Sequence, residues 1–127
     1  MTGANKLLID TDVLIDYLRG KAEAVAFIDG LADPFAASVV TVAELFAGVR
    51  EGAERSQLEA FVSAIDVIEI DAAIAEQGGL FRRDFRKSHA TGLADALIAA
   101  TAELRGLTLI TLNTKHFPML SSATAPY

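Results

Sequence analysis

The sequence predicts an α/β domain with three layers: a central parallel sheet of four or five strands and helices on both of its faces. Short apolar blocks of strand length alternate along the chain with segments whose apolar residues recur at the helical period. A helix between successive strands calls for parallel pairing through right-handed crossovers, because tight turns join only antiparallel neighbours. The 127 residues suit one domain, residues 1–127, with no repeat, low-complexity segment or linker to divide it. A chain of this size hides about two-thirds of its unfolded surface, enough for a packed core.

Lys6 to Asp10 reads as a buried strand, with Leu7, Leu8 and Ile9 ending in an acid. Helical spacing follows through Val13, Leu14, Tyr17 and Leu18, and Gly20 stops it. A second helical pattern runs from Lys21 to Leu31. Pro34 separates it from a small apolar strand, Phe35 to Val40. Thr41 is expected to open the next helix, with Val42, Leu45, Phe46 and Val49 on one face and Gly52 at its end. Ala53 to Ile65 reads as an amphipathic helix, Asp66 to Ile70 as a strand, Asp71 to Lys87 as a longer helix and Ser88 to Gly92 as a polar loop. Leu93 to Leu104 is a nearly all-apolar helix, closed by Arg105 and Gly106 before the strand Leu107 to Thr111. The tail from Asn113 turns around Pro118 and Pro126 and has room for a short edge strand.

Composition narrows the chemistry. The absence of cysteine excludes disulfides, thiolate metal sites and cysteine nucleophiles, so oxygen and nitrogen groups must do the work. Apolar residues make up 52% of the chain, a surplus compatible with an apolar interface beyond the core. No run approaches the roughly 20 apolar residues of a membrane helix. Met1 to Asp10 lacks the basic start and apolar run of a signal peptide, so a cytoplasmic protein is expected. The net charge of −6 disfavours loose binding to a polyanion, although carboxylates neutralised by a bound cation would not repel a phosphate.

The informative acids are Asp10, Glu44 and Asp95. In open parallel sheets ligands bind beyond the carboxyl ends of the strands. Asp10 and Asn113 both fall at such ends. Asp10 also has an ordinary explanation as a helix N-cap, worth about 1 kcal/mol. Thr41-Val42-Ala43-Glu44 fits a capping box in which Glu44 reaches back to the cap. Asp95 opens a helix so apolar that a free carboxylate there calls for a compensating cation. Taken together, three acids at strand ends and helix beginnings converge on one edge of the sheet. Carboxylates so close repel one another unless a cation lies among them. Hard oxygen donors without cysteine or paired histidines select Mg2+ or Mn2+ over zinc.

Other polar residues are less distinctive. Asp12 either joins this group or caps the following helix, and Asp16 with Arg19 reads as a surface pair. His89 and His116 fall in loops without ligand spacing. Arg82, Arg83, Arg86 and Lys87 form the one basic cluster, interrupted by Asp84. It reads first as a solvated helix end favoured by the helix dipole, and it precedes the loop to Asp95, where it could meet phosphates.

Four blocks occur in order: Leu8 to Asp16, Thr41 to Leu45, Leu93 to Ala99, and Leu109 to Asn113 followed by Lys115-His116-Phe117. Together they resemble a PIN domain, and more narrowly the VapC toxins of bacterial type II toxin–antitoxin pairs. The likeness spans almost the whole chain. It implies an Mg2+- or Mn2+-dependent endoribonuclease that hydrolyses RNA. Asp10 and Asp95 would be direct ligands, and Glu44 would hold a metal-bound water or assist its deprotonation. The family's fourth position, commonly acidic, is here Asn113, which brings no charge; position 12, often Asn in the family, is here Asp. Asn113 and Thr111 would orient waters or the scissile phosphate. The resemblance also implies a homodimer and a small antitoxin whose tail covers the acidic cleft.

Two rival readings remain open on the sequence. The Asp10-Thr11-Asp12 run also fits haloacid-dehalogenase-like phosphatases, in which Asp10 would be the nucleophile, but those need a lysine and a late acidic pair where Asp95 stands alone. Asn113 also permits an inactive PIN-like binding module.

Overall fold

The computed structural model describes residues 6–127, so the reading of Met1 to Asp10 as lacking a signal peptide falls partly outside the described residues. Among the described residues four strands, β1 (Leu7–Ile9), β2 (Ala36–Ser38), β3 (Asp66–Ile68) and β4 (Thr108–Ile110), pair entirely in parallel in the order β3-β2-β1-β4. Between them run six helices: α1 (Thr11–Leu18), α2 (Ala22–Asp29), α3 (Val39–Ala47), α4 (Ala53–Ala64), α5 (Ala72–His89) and α6 (Leu93–Arg105).

Successive strand side chains point to opposite faces, and β1, β2 and β4 each feed two cores. Leu8, Ala36 and Leu109 pack with Ile74 and Phe81 of α5 and Ile98 of α6. Their neighbours Ile9, Ala37 and Ile110 pack with Val13 and Leu14 of α1, Leu45 of α3 and Leu58 of α4. Helices therefore cover both faces, as the alternating pattern requires. On one of those faces Gly78 lets α5 lie against α6: an added Cβ would sit 2.6 Å from Leu97 Cδ2 and 3.2 Å from its Cα.

From β1 the chain proceeds outward to β2 and β3, then returns across the sheet to add β4 on the other side of β1. The winding direction thus reverses between β1 and β4. At such a switch point the connections leave in opposite directions and open a crevice at the carboxyl ends of the two strands. Asp10 follows β1 there, and Thr111 to Asn113 follow β4.

Several expected boundaries move, each for a local reason. The third helix begins at Val39 rather than Thr41, because Ser38 is the N-cap and its hydroxyl accepts from the backbone N–H of Val40 at 3.0 Å. The β-branched pair Val39 and Val40 reads as strand by propensity yet forms the first helical turn. The helix α5 runs on through the expected loop to His89 and ends on Ala90, whose φ of 54° is left-handed. Asp16 pairs not with Arg19 but with Lys21, at 3.6 Å, and also accepts from the Tyr127 hydroxyl at 2.7 Å. The tail makes an isolated parallel bridge between Thr124 and Ile110 on the outer edge of β4. Among the described residues no helix is long and apolar enough to cross a membrane.

Candidate active site

Asp10 is held at the crevice by its backbone first, since its N–H extends the β1–β4 pairing to the Ile110 carbonyl at 2.9 Å. Its side chain caps the following helix and also bonds across the crevice. Oδ1 accepts from the Thr11 backbone N–H at 2.8 Å, capping α1, and Oδ2 accepts from the Thr111 hydroxyl at 2.7 Å. The residue is only 6% exposed. Burial foremost, then the charge of Asp12 and more weakly that of Asp95, push its carboxyl up from 3.8 to about 7, against the two hydrogen bonds that favour ionisation.

Asp12 faces the same crevice from the first turn of α1. Its Oδ1 accepts from the Val13 N–H at 2.8 Å, while Oδ2 accepts from the Leu112 N–H at 3.2 Å and the Asn113 side-chain amide at 3.1 Å. A carboxylate only accepts, so the Asn113 NH2 must face Asp12 and its carbonyl oxygen must face away. Thr111 connects the two acids: its hydroxyl lies 2.7 Å from Asp10 and 3.5 Å from Asp12, and its oxygen accepts from the Asn113 N–H at 3.0 Å. Asp10, Asp12, Thr111 and Asn113 thus form one hydrogen-bonded group. Burial raises the Asp12 carboxyl as well.

Glu44 does not close a capping box. Thr41 lies inside α3, fully buried, and Glu44 reaches across to α1, where its Oε1 accepts from the Thr11 hydroxyl at 2.6 Å. The Thr11 hydroxyl also lies 2.9 Å from that of Thr41. The local cap loses because Ser38 already serves that end of the helix. Glu44 lines one side of a groove of about 520 Å3 whose walls include Ile15, Leu45, Val49 and Leu58, with Arg19 and Arg50 also lining it.

Asp95 stands in the first turn of α6, its Oδ2 3.5 Å from the Gly92 N–H and 3.6 Å from Nδ1 of His116. His116, which the sequence places in a loop without ligand spacing, therefore sits beside Asp95. It is held there by the short 3-10 turn Thr114–His116, whose last carbonyl accepts from the Thr91 hydroxyl at 2.9 Å. Arg82, Arg83, Arg86 and Lys87 lie on the second half of α5, which ends just before the α6 terminus that carries Asp95. Arg83 is paired with Asp84 at 2.9 Å, and among the described residues none of the four forms an ion pair with a site acid.

Thr11, Thr41 and His116 are the site neighbours that sequence reasoning missed. Thr11 carried a usable signal, a polar residue between two acids at the end of a buried strand. Thr41 was visible but had a competing local explanation, and nothing in the sequence brings His116 to Asp95.

The donor set is entirely hard oxygen. Among the described residues no three acidic or histidine side chains are gathered closely enough to hold an ion as they stand. The state of Asp10 nevertheless fits a cation. It is a buried acid with a spare lone pair on each oxygen, surrounded by other acids and without a basic partner among the described residues, and a divalent ion would relieve its raised affinity for a proton. Asp10, Asp95 and Glu44 carry oxygen donors of the hard kind that such an ion takes.

The sequence profile of the PIN domain matches residues 7–119. The chain belongs to the PIN domain family. Within it, this PIN domain is 41% identical over 127 residues to Ribonuclease VapC10 of Mycobacterium tuberculosis, covering 95% of this chain and 92% of that protein. Ribonuclease VapC19 of the same organism is 42% identical over 125 residues, covering 94% and 98%. Among solved structures, a toxin–antitoxin complex from Klebsiella pneumoniae superposes on this PIN domain with a TM-score of 0.83 at 32% identity, over 96% of this chain and 98% of that one. The VapC resemblance and the three-layer fold read from the sequence both hold.

Proposed function

We propose that this PIN domain is a divalent-metal-dependent endoribonuclease, using Mg2+ or Mn2+, and the toxin of a type II toxin–antitoxin pair. The observation that carries the metal is Asp10: a buried carboxyl pushed up to about 7, at the sheet's switch point, with acids rather than bases around it. The relatives named as ribonucleases support RNA as the substrate class, and the Klebsiella complex supports an antitoxin partner. A homodimer and a cytoplasmic location belong to the same reading.

When bound, the divalent ion would lower the pKa of a water and stabilise charge developing on the phosphate oxygens. Asp10 and Asp95 would hold it, and Thr111 would keep Oδ2 of Asp10 turned to its place. Glu44 would accept the proton of the attacking water as the new P–O bond forms, and the leaving oxygen would take a proton from solvent as its bond to phosphorus breaks. Asn113, with its amide nitrogen engaged by Asp12, would offer only its carbonyl oxygen to a water or phosphate. The basic face of α5 would meet the RNA backbone beyond the scissile bond. A phosphatase with Asp10 as nucleophile is not favoured: the side chain's partners are Thr11 and Thr111, and among the described residues no lysine pairs with it.

The test is RNA cleavage by purified protein stripped of any partner. Cleavage is expected only with Mg2+ or Mn2+, and Asp95→Asn is expected to abolish it. Cleavage in excess chelator, or an Asp95→Asn protein as active as the parent, would overturn the mechanism.

A further inference from the structure

We infer that Thr11 and Thr41 form a buried hydroxyl chain that holds Glu44 in a single orientation, making Thr11 a positioning residue for the proton transfer assigned to Glu44. The consequence for catalysis rests on the ribonuclease reading; the chain itself rests on geometry alone. Thr11 is 8% exposed and Thr41 fully buried, so neither hydroxyl can fall back freely on bulk water. Each has a single hydrogen. An ionised Glu44 can only accept, so the Thr11 hydrogen belongs to its Oε1, at the 2.6 Å typical of a hydroxyl on a carboxylate. The oxygen of Thr11 is then free to receive the hydrogen of Thr41, 2.9 Å away. The direction is thereby set, Thr41 to Thr11 to Glu44, each bond polarising the next.

A second helical threonine provides the contrast for Thr41. Thr101 in α6 is just as buried, and its hydroxyl donates back to its own helix, to the Leu97 carbonyl at 2.8 Å. Among the described residues Thr41 makes no such backbone bond and turns to Thr11 instead. Glu44 stands on an exposed stretch of α3, where a glutamate otherwise samples several rotamers. Tying Oε1 to α1 leaves Oε2 as the oxygen available to a water, placed relative to Asp10 because Thr11 is the next residue in the chain.

Thr11→Val keeps the side-chain shape and removes the hydroxyl, whereas Thr11→Ser keeps the hydroxyl. With Mn2+ and a short RNA, Thr11→Val is expected to lower kcat about 10- to 100-fold with KM nearly unchanged, and Thr11→Ser to restore it to within a few-fold of the parent. Mn2+ affinity, titrated by electron paramagnetic resonance, should stay within about twofold in both. In the metal-free protein, three-bond NMR couplings of Glu44 should report one rotamer in the parent and averaging in Thr11→Val. If Thr11→Val fails to fold, Thr41→Val breaks the chain one link earlier and should change both readouts in the same direction by less. A parent whose Glu44 is already averaged, or a Thr11→Ser protein no better than Thr11→Val, overturns the inference. A parent that cuts no RNA yet holds Glu44 in one rotamer supports the hydroxyl chain and counts against the ribonuclease reading alone.

Discussion

Replacing Asp10 with asparagine should stabilise the metal-free protein at pH 8 while leaving it near the parent at pH 5. In the fold, burial and then the charge of Asp12 lift the Asp10 carboxyl from 3.8 to about 7; in the unfolded chain it ionises near 3.9. Between those values the folded state holds a proton that the unfolded state has released. The stabilisation is therefore fully present below about pH 4 and is lost as pH rises to about 7. The whole interval corresponds to about 4 kcal/mol, of which about 3 kcal/mol falls between pH 5 and pH 8. Asparagine caps a helix as well as aspartate does, but it offers one oxygen where Thr11 and Thr111 now use two, at a cost of about 1 kcal/mol. Asp10→Asn should thus exceed the parent by about 3 kcal/mol at pH 8 and by less than about 1 kcal/mol at pH 5. Urea unfolding of both proteins in excess chelator, at the two pH values, measures the difference. Saturating Mn2+ should reverse the order at pH 8, because only the parent keeps the carboxylate. An Asp10→Asn protein destabilised equally at both pH values would refute the account of Asp10 as a buried acid without a cation.

Two further expectations follow from the packing. Asn113→Asp sets a carboxylate against Asp12 Oδ2, now 3.1 Å from the amide, and should cost about 1–3 kcal/mol without metal. The exchange Asp12→Asn with Asn113→Asp restores one donor and one acceptor, so thermal unfolding of the double-mutant cycle should show a coupling of at least about 1 kcal/mol, whereas additive single effects would show the pair is not coupled. Gly78→Ala should destabilise by about 1–3 kcal/mol because its Cβ would meet Leu97, while Gly79→Ala, with nothing within 4 Å, should stabilise by up to about 1 kcal/mol. Chemical denaturation of the two alanine variants checks the opposite signs.

The order and type of the elements were legible in the sequence, because hydrophobic period is a local property and each face must be buried somewhere. Asp10 and Asp95 were legible for the same reason: the end of an apolar strand and the start of an apolar helix are positions where an acid stands out. The boundary of α3 was not, since β-branched Val39 and Val40 favour a strand until Ser38 supplies the cap.

Partners within the site were decided by the tertiary structure. Glu44 had an acceptable partner three residues away in Thr41, yet its hydrogen bond comes from Thr11, 33 residues distant. Asp12 could have been only a first-turn acid, but it gathers the loop beyond β4 from 101 residues away. Asp95 meets His116 only because a 3-10 turn returns the chain to the head of α6. By itself the sequence determined which residues carry negative charge to the edge of a parallel sheet. Only the fold decided which donor each carboxylate faces, because local caps and remote hydroxyls offer similar hydrogen bonds and packing chooses between them.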